Sequence, residues 1–432
     1  MKISVRNPVI RQVAHVGLCL HFLFTQTTFG QSSKAKSIDA YVSSFARAGH
    51  FSGVILAAQD GKVFYEKAFG LANADFKIPN QVNTRIGIAS ITKPMTSIIL
   101  TNLIQEQKVN LQDKLSKYLP DFPNGDKITI EMLARHRTGI PHRVMKPEEE
   151  SLPHTSAEMV EKIKQATLAF EPGTQSLYSS AGYTVLARVL EVASGNTYSA
   201  LLQQYVFGPA GMKDSLDFVG DTIIDRRAQD YLLDDRGIIN AALKDYSFLV
   251  GAGSVFSTAR DVYQFGEAIT TGKFGEVIKQ NFVRNNVMSS NGSTNGHRAF
   301  LKINVEKKYG YVLVSNLNSG ANDVILAGVE AILEGKDPGA PVIPSPKIIS
   351  NPNKNLTEFT GAYVREGGGG SFEIVVKNNS LAAGDTKLYP TRPDCFFEYR
   401  FYGDVCFLRG DNGAVKEINW VSPTAKSVWV RQ

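Results

Sequence analysis

The sequence predicts an α+β fold: an antiparallel sheet flanked by helices and interrupted by an inserted helical lobe, then a small all-β domain. Three observations carry that expectation. Strand-like runs open and close the first 335 residues while helical spacing fills the middle. The stretch Asp337-Pro-Gly-Ala-Pro-Val-Ile-Pro-Ser-Pro346 has the composition of a semi-rigid, extended linker. Beyond it, short apolar runs separated by Gly or Asn/Asp turns read as the strands of a sandwich or barrel.

Taken in order, Lys2, Arg6 and Arg11 precede the apolar run Val16–Phe24, and the small residues Thr28 and Gly30 flank a cut before Gln31. Residues 1–30 therefore read as a secretory signal peptide, too short in its apolar part to span a membrane. Cys19 lies inside that run, not after a small residue at its end, which argues against a lipid-modified anchor. Residues 31–335 form the main domain. After a polar, flexible lead, Ile38–Arg47 looks helical; Ser52–Ala58, a turn at Asp60-Gly61 and Lys62–Phe69 form a β-hairpin. Met95, Ile98, Ile99, Leu100, Leu103 and Ile104 mark a helix apolar on more than one face, hence buried. Leu115–Phe122 reads as a connecting loop and Ile128–Arg135 as a short helix. Longer helices are expected at Ser156–Ala169 and Ala181–Ala193. Thr258 has N-cap chemistry for a helix towards Ile269, with Arg260 and Asp261 as a local pair. Phe300–Ile303 and Tyr309–Val314 read as paired strands, and Asp323–Leu333 as a closing helix. Residues 336–352 are the linker. Residues 353–432 are the β-domain, with strands at Ser371–Lys377, Cys395–Tyr399, Val405–Arg409 and Val415–Trp420.

Composition narrows the function classes. The signal segment takes three of 47 basic residues, leaving a near balance with 41 acidic ones, which argues for neither nucleic acid nor membrane binding. The seven histidines show no H-E-x-x-H and the cysteines no C-x-x-C, so nothing points to a metal or other cofactor. Cys395 and Cys406 either bridge one hairpin in an oxidising compartment or pack as two small buried residues. Oligomeric state stays open.

Chemistry centres on Ser90-Ile-Thr-Lys93, a Ser-x-x-Lys motif. Pro94 lacks an N–H and is tolerated only near the first turn, so the helix begins close to Ser90. Ser90 then sits where free N–H groups and the positive end of the helix dipole point outward, with Lys93 one turn on. An amine able to take a hydroxyl proton, beside N–H groups able to hold an oxyanion, suits acyl transfer. A second match, Ser33 to Lys36, falls in the polar lead, so the motif alone decides nothing.

Support comes from a series in fixed order. After Ser90–Lys93 come His136-Arg-Thr-Gly-Ile-Pro141, Glu171-Pro-Gly-Thr-Gln-Ser-Leu-Tyr178-Ser-Ser180, Gly251–Asp261, Gly292-Ser-Thr-Asn-Gly296 and Val314-Ser-Asn316. That series, over about residues 38–335, resembles the serine hydrolases related to class C β-lactamases, D-alanyl-D-alanine carboxypeptidases, D-aminopeptidases and bacterial esterases. The resemblance implies the β-lactamase/transpeptidase-like fold and an acyl-enzyme on Ser90. Lys93 would be the base. Tyr178 would be the second base and leaving-group acid, its phenolate favoured by a nearby Lys93. The third family motif aligns with Ser290-Asn291-Gly292-Ser293, which puts the Ser293 N–H with that of Ser90 in the oxyanion hole and Asn291 and Gly292 at the substrate. Two positions depart from the pattern. Ser180 stands for an asparagine that would hydrogen-bond substrate. Ser290 stands for the Lys or His that binds a substrate carboxylate, a contact of roughly 1.5–3 kcal/mol. Both move the expectation from efficient β-lactam hydrolysis towards a small ester or D-amino-acid peptide. The alternatives are a non-catalytic cell-wall- or peptide-binding protein on the same fold, or a true β-lactamase. His136 and Arg137 are expected to support the helical lobe, and His297 is not promoted to the vacant cation position.

Overall fold

The computed structural model describes residues 31–350, 355–368, 370–384 and 386–432. The expected signal peptide and Cys19 lie outside them.

A six-stranded, all-antiparallel sheet forms the centre: β1 (Gly53–Gln59), β2 (Lys62–Phe69), β3 (Val283–Arg284), β4 (Val287–Ser293), β5 (Arg298–Asn304) and β6 (Tyr309–Ser315). They lie in the order β3-β4-β5-β6-β1-β2, so the two ends of the region complete one sheet around an inserted helical lobe. Side chains alternate across it. Val54, Leu56 and Ala58 of β1 and Val312 and Val314 of β6 join a core on one face; Ile55 and Ala57, with Tyr309, Tyr311 and Leu313, join a core on the other. Cover on both faces explains why the central strand β6 is buried at every residue. The first face packs against helices Thr92–Gln105 and Ala259–Thr270. The second packs against helical residues 31–47 and Ala321–Leu333.

Three local expectations need correction. Ser33 and Lys36 lie exposed on helical residues 31–47, not in a flexible lead. The helix from Ser156 stops at Lys164. Just beyond it the Ala166 N–H turns back to Ile163 O and the Ala169 N–H bonds Gly139 O, drawing the chain out of the helix. Arg260 and Asp261 do not pair with each other. Arg260 reaches Glu66, while the Asp261 carboxylate accepts from the Asp214 N–H at 2.7 Å and the Ser215 hydroxyl at 2.8 Å. Thr258 does cap the helix, accepting the Asp261 N–H. His297 is fully buried, paired with Asp230 and enclosed by Tyr246 and Phe256.

The C-terminal strands form a nine-stranded antiparallel sheet, from Gly361–Arg365 to Lys426–Arg431, and not a two-sheet sandwich. Phe359, Tyr363, Ile374, Phe396, Phe407 and Ile418 converge in a single cluster, which gives the barrel-like form. Cys395 and Cys406 sit opposite each other on neighbouring strands and are disulfide-bonded, resolving the two options left by the sequence. This sheet seats on the rest of the chain through its 399–402 turn. The Gly320 N–H donates to Tyr399 O at 3.1 Å, Tyr402 meets His50, and a side chain at Gly320 would collide with Tyr402. Residues 337–350 carry no regular structure, yet Ile343 and Ile348 pack on the second core. Among the described residues no helix is long and apolar enough to cross a membrane.

Candidate active site

Ser90 lies in a 3-10 turn, Ala89–Ile91, that runs straight into the helix Thr92–Gln105. Pro94 falls within that helix's first turn, as its missing N–H requires. Ala89 adopts φ +46, a left-handed conformation costly for a residue with a Cβ, so the turn is held by its surroundings. Those surroundings include β4. A Cβ on Gly292 would lie 2.8 Å from Ser90 N and 3.0 Å from the Ala89 Cβ, and closer still to Ile88 O. Only glycine lets the strand approach the turn this tightly.

The turn opens onto a cavity of about 560 Å³ lined by Ser90, Lys93, Tyr178, Ser180, Ser290, Asn291 and Ser293, among others. Lys93 Nζ lies 3.1 Å from Ser90 Oγ, 3.2 Å from Ser180 Oγ and 2.9 Å from Ala252 O. The Tyr178 hydroxyl donates to Ser90 Oγ at 2.9 Å. An amine from the next turn and a phenol 88 residues away thus meet at one oxygen. Lys93 is 5% exposed, and its burial lowers the amine pKa to about 7. At neutral pH much of it is uncharged and able to accept the Ser90 proton.

Tyr178 differs from expectation. Desolvation raises its pKa, outweighing the lowering effect of the bond to Ser90, and the Lys93 amine lies over its ring at 4.8 Å. The free site therefore holds a phenol, which donates, and not a phenolate. Although 47% of the residue is exposed, it forms part of the cavity wall, with the rings of His136 and His142 4.7 and 5.3 Å away.

These histidines fix the Tyr178 segment. The Ser179 N–H donates to His136 Nδ1 and the Ser180 N–H to His142 Nδ1, each at 3.2 Å, while the Ser179 hydroxyl bonds Pro141 O. Burial above all lowers both imidazoles to about 4, with smaller contributions from Lys93 at His136 and from Arg143 at His142, so both are neutral acceptors at physiological pH. Ser179 then caps the helix Ser180–Ser194 by accepting the Gly182 N–H at 2.8 Å. His136 thus supports the Tyr178 segment beside Ser90.

On the opposite wall, β4 pairs with β3 only at Val287 and Met288, so from Ser289 onward its outer edge faces the cavity. Asn318 Nδ2 donates to Ser293 Oγ at 3.2 Å and Thr294 O at 2.6 Å, steadying the strand end next to Ser90. Gly292 is pressed against the Ser90 turn and does not line the cavity, contrary to its expected place at the substrate. Ser290 leaves this wall without a cation. Sequence reasoning missed His142, Arg143, Glu150 and Lys244, which also line the cavity. The one available signal was the basic pair His142-Arg143 directly after Gly-Ile-Pro.

The arrangement brings a serine hydroxyl, a buried amine, a phenol donor and a strand edge around one opening, as acyl transfer would require. A sequence model described as Beta-lactamase matches residues 38–382, most of the chain. Penicillin-binding protein 4* of Bacillus subtilis (strain 168) is 24% identical, covering 89% of this chain and 96% of that protein. The D-alanyl-D-alanine-carboxypeptidase/endopeptidase AmpH of Escherichia coli (strain K12) is 27% identical over 55% of this chain, which spans 62% of AmpH. Among solved structures, the D-amino acid amidase of Ochrobactrum anthropi SV3 superposes with a TM-score of 0.61 at 21% identity, covering 71% of this chain and 99% of that one.

Proposed function

The chain belongs to the Beta-lactamase family of serine hydrolases, and from that premise we propose that it cleaves a small ester or a D-amino-acid amide or peptide through an acyl-enzyme on Ser90. The reading rests on one observation above all: the Lys93 amine and the Tyr178 hydroxyl both stand within hydrogen-bonding distance of Ser90 Oγ. Neutral Lys93 takes the Ser90 proton as Oγ attacks the carbonyl carbon. The N–H groups of Ser90 and Ser293 hold the oxyanion. As the tetrahedral intermediate collapses, Tyr178 gives its proton to the leaving oxygen or nitrogen and recovers one from protonated Lys93. Water then hydrolyses the acyl-enzyme with the same groups. Ser180 orients Lys93 in the role of the missing asparagine.

Ser290 favours esters and D-amino-acid amides over β-lactams, since it offers a lactam carboxylate no charge. Residues 1–30 direct export to the periplasm or the medium. Residues 31–335 form the hydrolase domain, 336–352 a linker and 353–432 an appended β-domain.

A fluorophosphonate probe tests the enzyme reading. Labelling is expected to vanish in Ser90→Ala and persist in Ser33→Ala; absence of labelling in the unmodified protein, with peptide binding retained, would instead indicate a binding protein. Comparing p-nitrophenyl acetate with nitrocefin tests the substrate class. Nitrocefin turnover rivalling the ester would overturn the reading of Ser290.

A further inference from the structure

His297 and Asp230 form a buried imidazole–carboxylate pair that the mechanism above leaves unused: the His297 side chain is fully enclosed and that of Asp230 is 12% exposed. Such a pair stabilises a fold no better than apolar side chains of the same size, because both groups must leave water. Its contacts are directional, however, and they reach three segments of the active site.

The first is the strand beside Ser90. His297 closes the turn that joins β4 to β5, and its backbone holds Thr294 twice. The His297 N–H donates to Thr294 Oγ1 at 3.3 Å, and the Thr294 N–H donates to His297 O at 3.0 Å. Thr294 directly follows Ser293. The second is the approach to the nucleophile. The imidazole lies against Gly87, where any Cβ would collide with Nδ1 and Cε1, and Gly87 precedes Ser90 by three residues. The third is the cavity wall. Asp230 Oδ2 accepts the Tyr246 hydroxyl, and Tyr246 and Thr294 both line the cavity. Gly296 does for Asp230 what Gly87 does for His297, since a side chain there would strike Asp230 Cβ. Two glycines thus leave room for one pair. The imidazole is further confined by the Phe256 ring, edge-on at 5.3 Å, and the Tyr246 ring at 5.2 Å.

We propose that the Asp230–His297 pair is a positioning device for the oxyanion hole: it holds the turn after Ser293 against the segment leading into Ser90, and so sets the spacing of the two N–H groups assigned to the oxyanion. Neither residue touches substrate. Oxyanion donors act over a narrow range, about 2.7–3.1 Å from the developing charge. An apolar side chain at 297 would fill the space yet leave the turn free to slide along Gly87, whereas the pair fixes it to Asp230 and, through Tyr246, to the cavity wall. This inference rests on the hydrolase reading above and adds positioning residues to it.

The test, on the full chain, separates positioning from packing. Asp230→Asn/His297→Leu removes the pair while keeping the volume and an acceptor for Tyr246, so the melting temperature is expected to change by no more than a few degrees. For p-nitrophenyl acetate, kcat should fall by about 10–100-fold with KM within about twofold, the pattern of an interaction made only in the transition state. The second-order rate of fluorophosphonate labelling at Ser90 should fall in parallel, because the phosphoryl oxygen uses the same two N–H groups. A folded double variant with unchanged kcat, or one whose loss lies in KM alone, overturns the proposal and leaves the pair as packing. Should the double variant not fold, Asp230→Asn alone decides: a kcat loss of about threefold or more at unchanged KM supports the proposal, and an unchanged kcat overturns it. Failure of the unmodified protein to label overturns the hydrolase reading itself.

Discussion

Lys93, beneath the cavity, and Glu398, where the C-terminal sheet meets the rest of the chain, are buried alike: 5% and 0% exposed. Both titrate near 7, the amine lowered and the carboxyl raised, and in each the main cause is burial. What they face differs. Lys93 points at two hydroxyls and a carbonyl beside an open cavity. Glu398 accepts the Arg400 and Phe401 N–H groups at 2.6 and 2.7 Å, closing its own turn. A displaced pKa therefore marks burial; the nucleophile within reach is what makes one of the two a candidate for chemistry.

That contrast breaks most sharply on turnover. Lys93→Met is expected to lower kcat by about 10²–10⁴-fold, the range for losing a general base, while Glu398→Gln leaves ester turnover within about twofold; comparable losses from both would erase the distinction. Next in size is Gly292→Ala. Its new methyl pushes β4 from the Ser90 turn and should cost about 10–10³-fold in kcat, with KM little changed, as for a damaged oxyanion hole. An unaffected kcat would separate the strand from catalysis.

Ser290→Lys adds a cation that is accessible to substrate rather than buried. It should improve kcat/KM for nitrocefin by about tenfold or more, a charge-assisted contact to its carboxylate. The smallest effect is on stability. Glu398 has a folded pKa of about 7, above its ordinary 4.5, so its contribution is intact below about 4.5 and is lost as pH rises through 7. Glutamine does not ionise. The melting temperature of Glu398→Gln should therefore gain a few degrees on that of the unmodified protein between pH 5 and pH 8.5. The ceiling on that gain is about 3 kcal/mol.

Legibility followed sequence distance. Ser90 and Lys93 could be paired because three residues of helix make them neighbours, and the hairpin of β1 and β2 because its turn and alternation are local. Tyr178 lies 88 residues from Ser90 and was reached only through a resemblance of motifs. His142, Arg143 and the Glu150–Lys244 pair had no such aid. They enter the cavity from irregular segments whose positions depend on tertiary contacts, such as the Asp245 N–H to Glu150 O. Gly292 was assigned to the right strand and the wrong task, since an alignment gives no indication that its missing side chain makes room for the Ser90 turn. Tyr178 as a phenol was equally hidden, because desolvation is a property of the folded cavity.

The most direct test is the pH dependence of the second-order rate at which a fluorophosphonate acylates Ser90. Neutral Lys93 as the base predicts a rate that climbs about tenfold per pH unit at low pH and levels off with a midpoint near 7. A midpoint near 10, or a rate flat from pH 6 to 9, would contradict it.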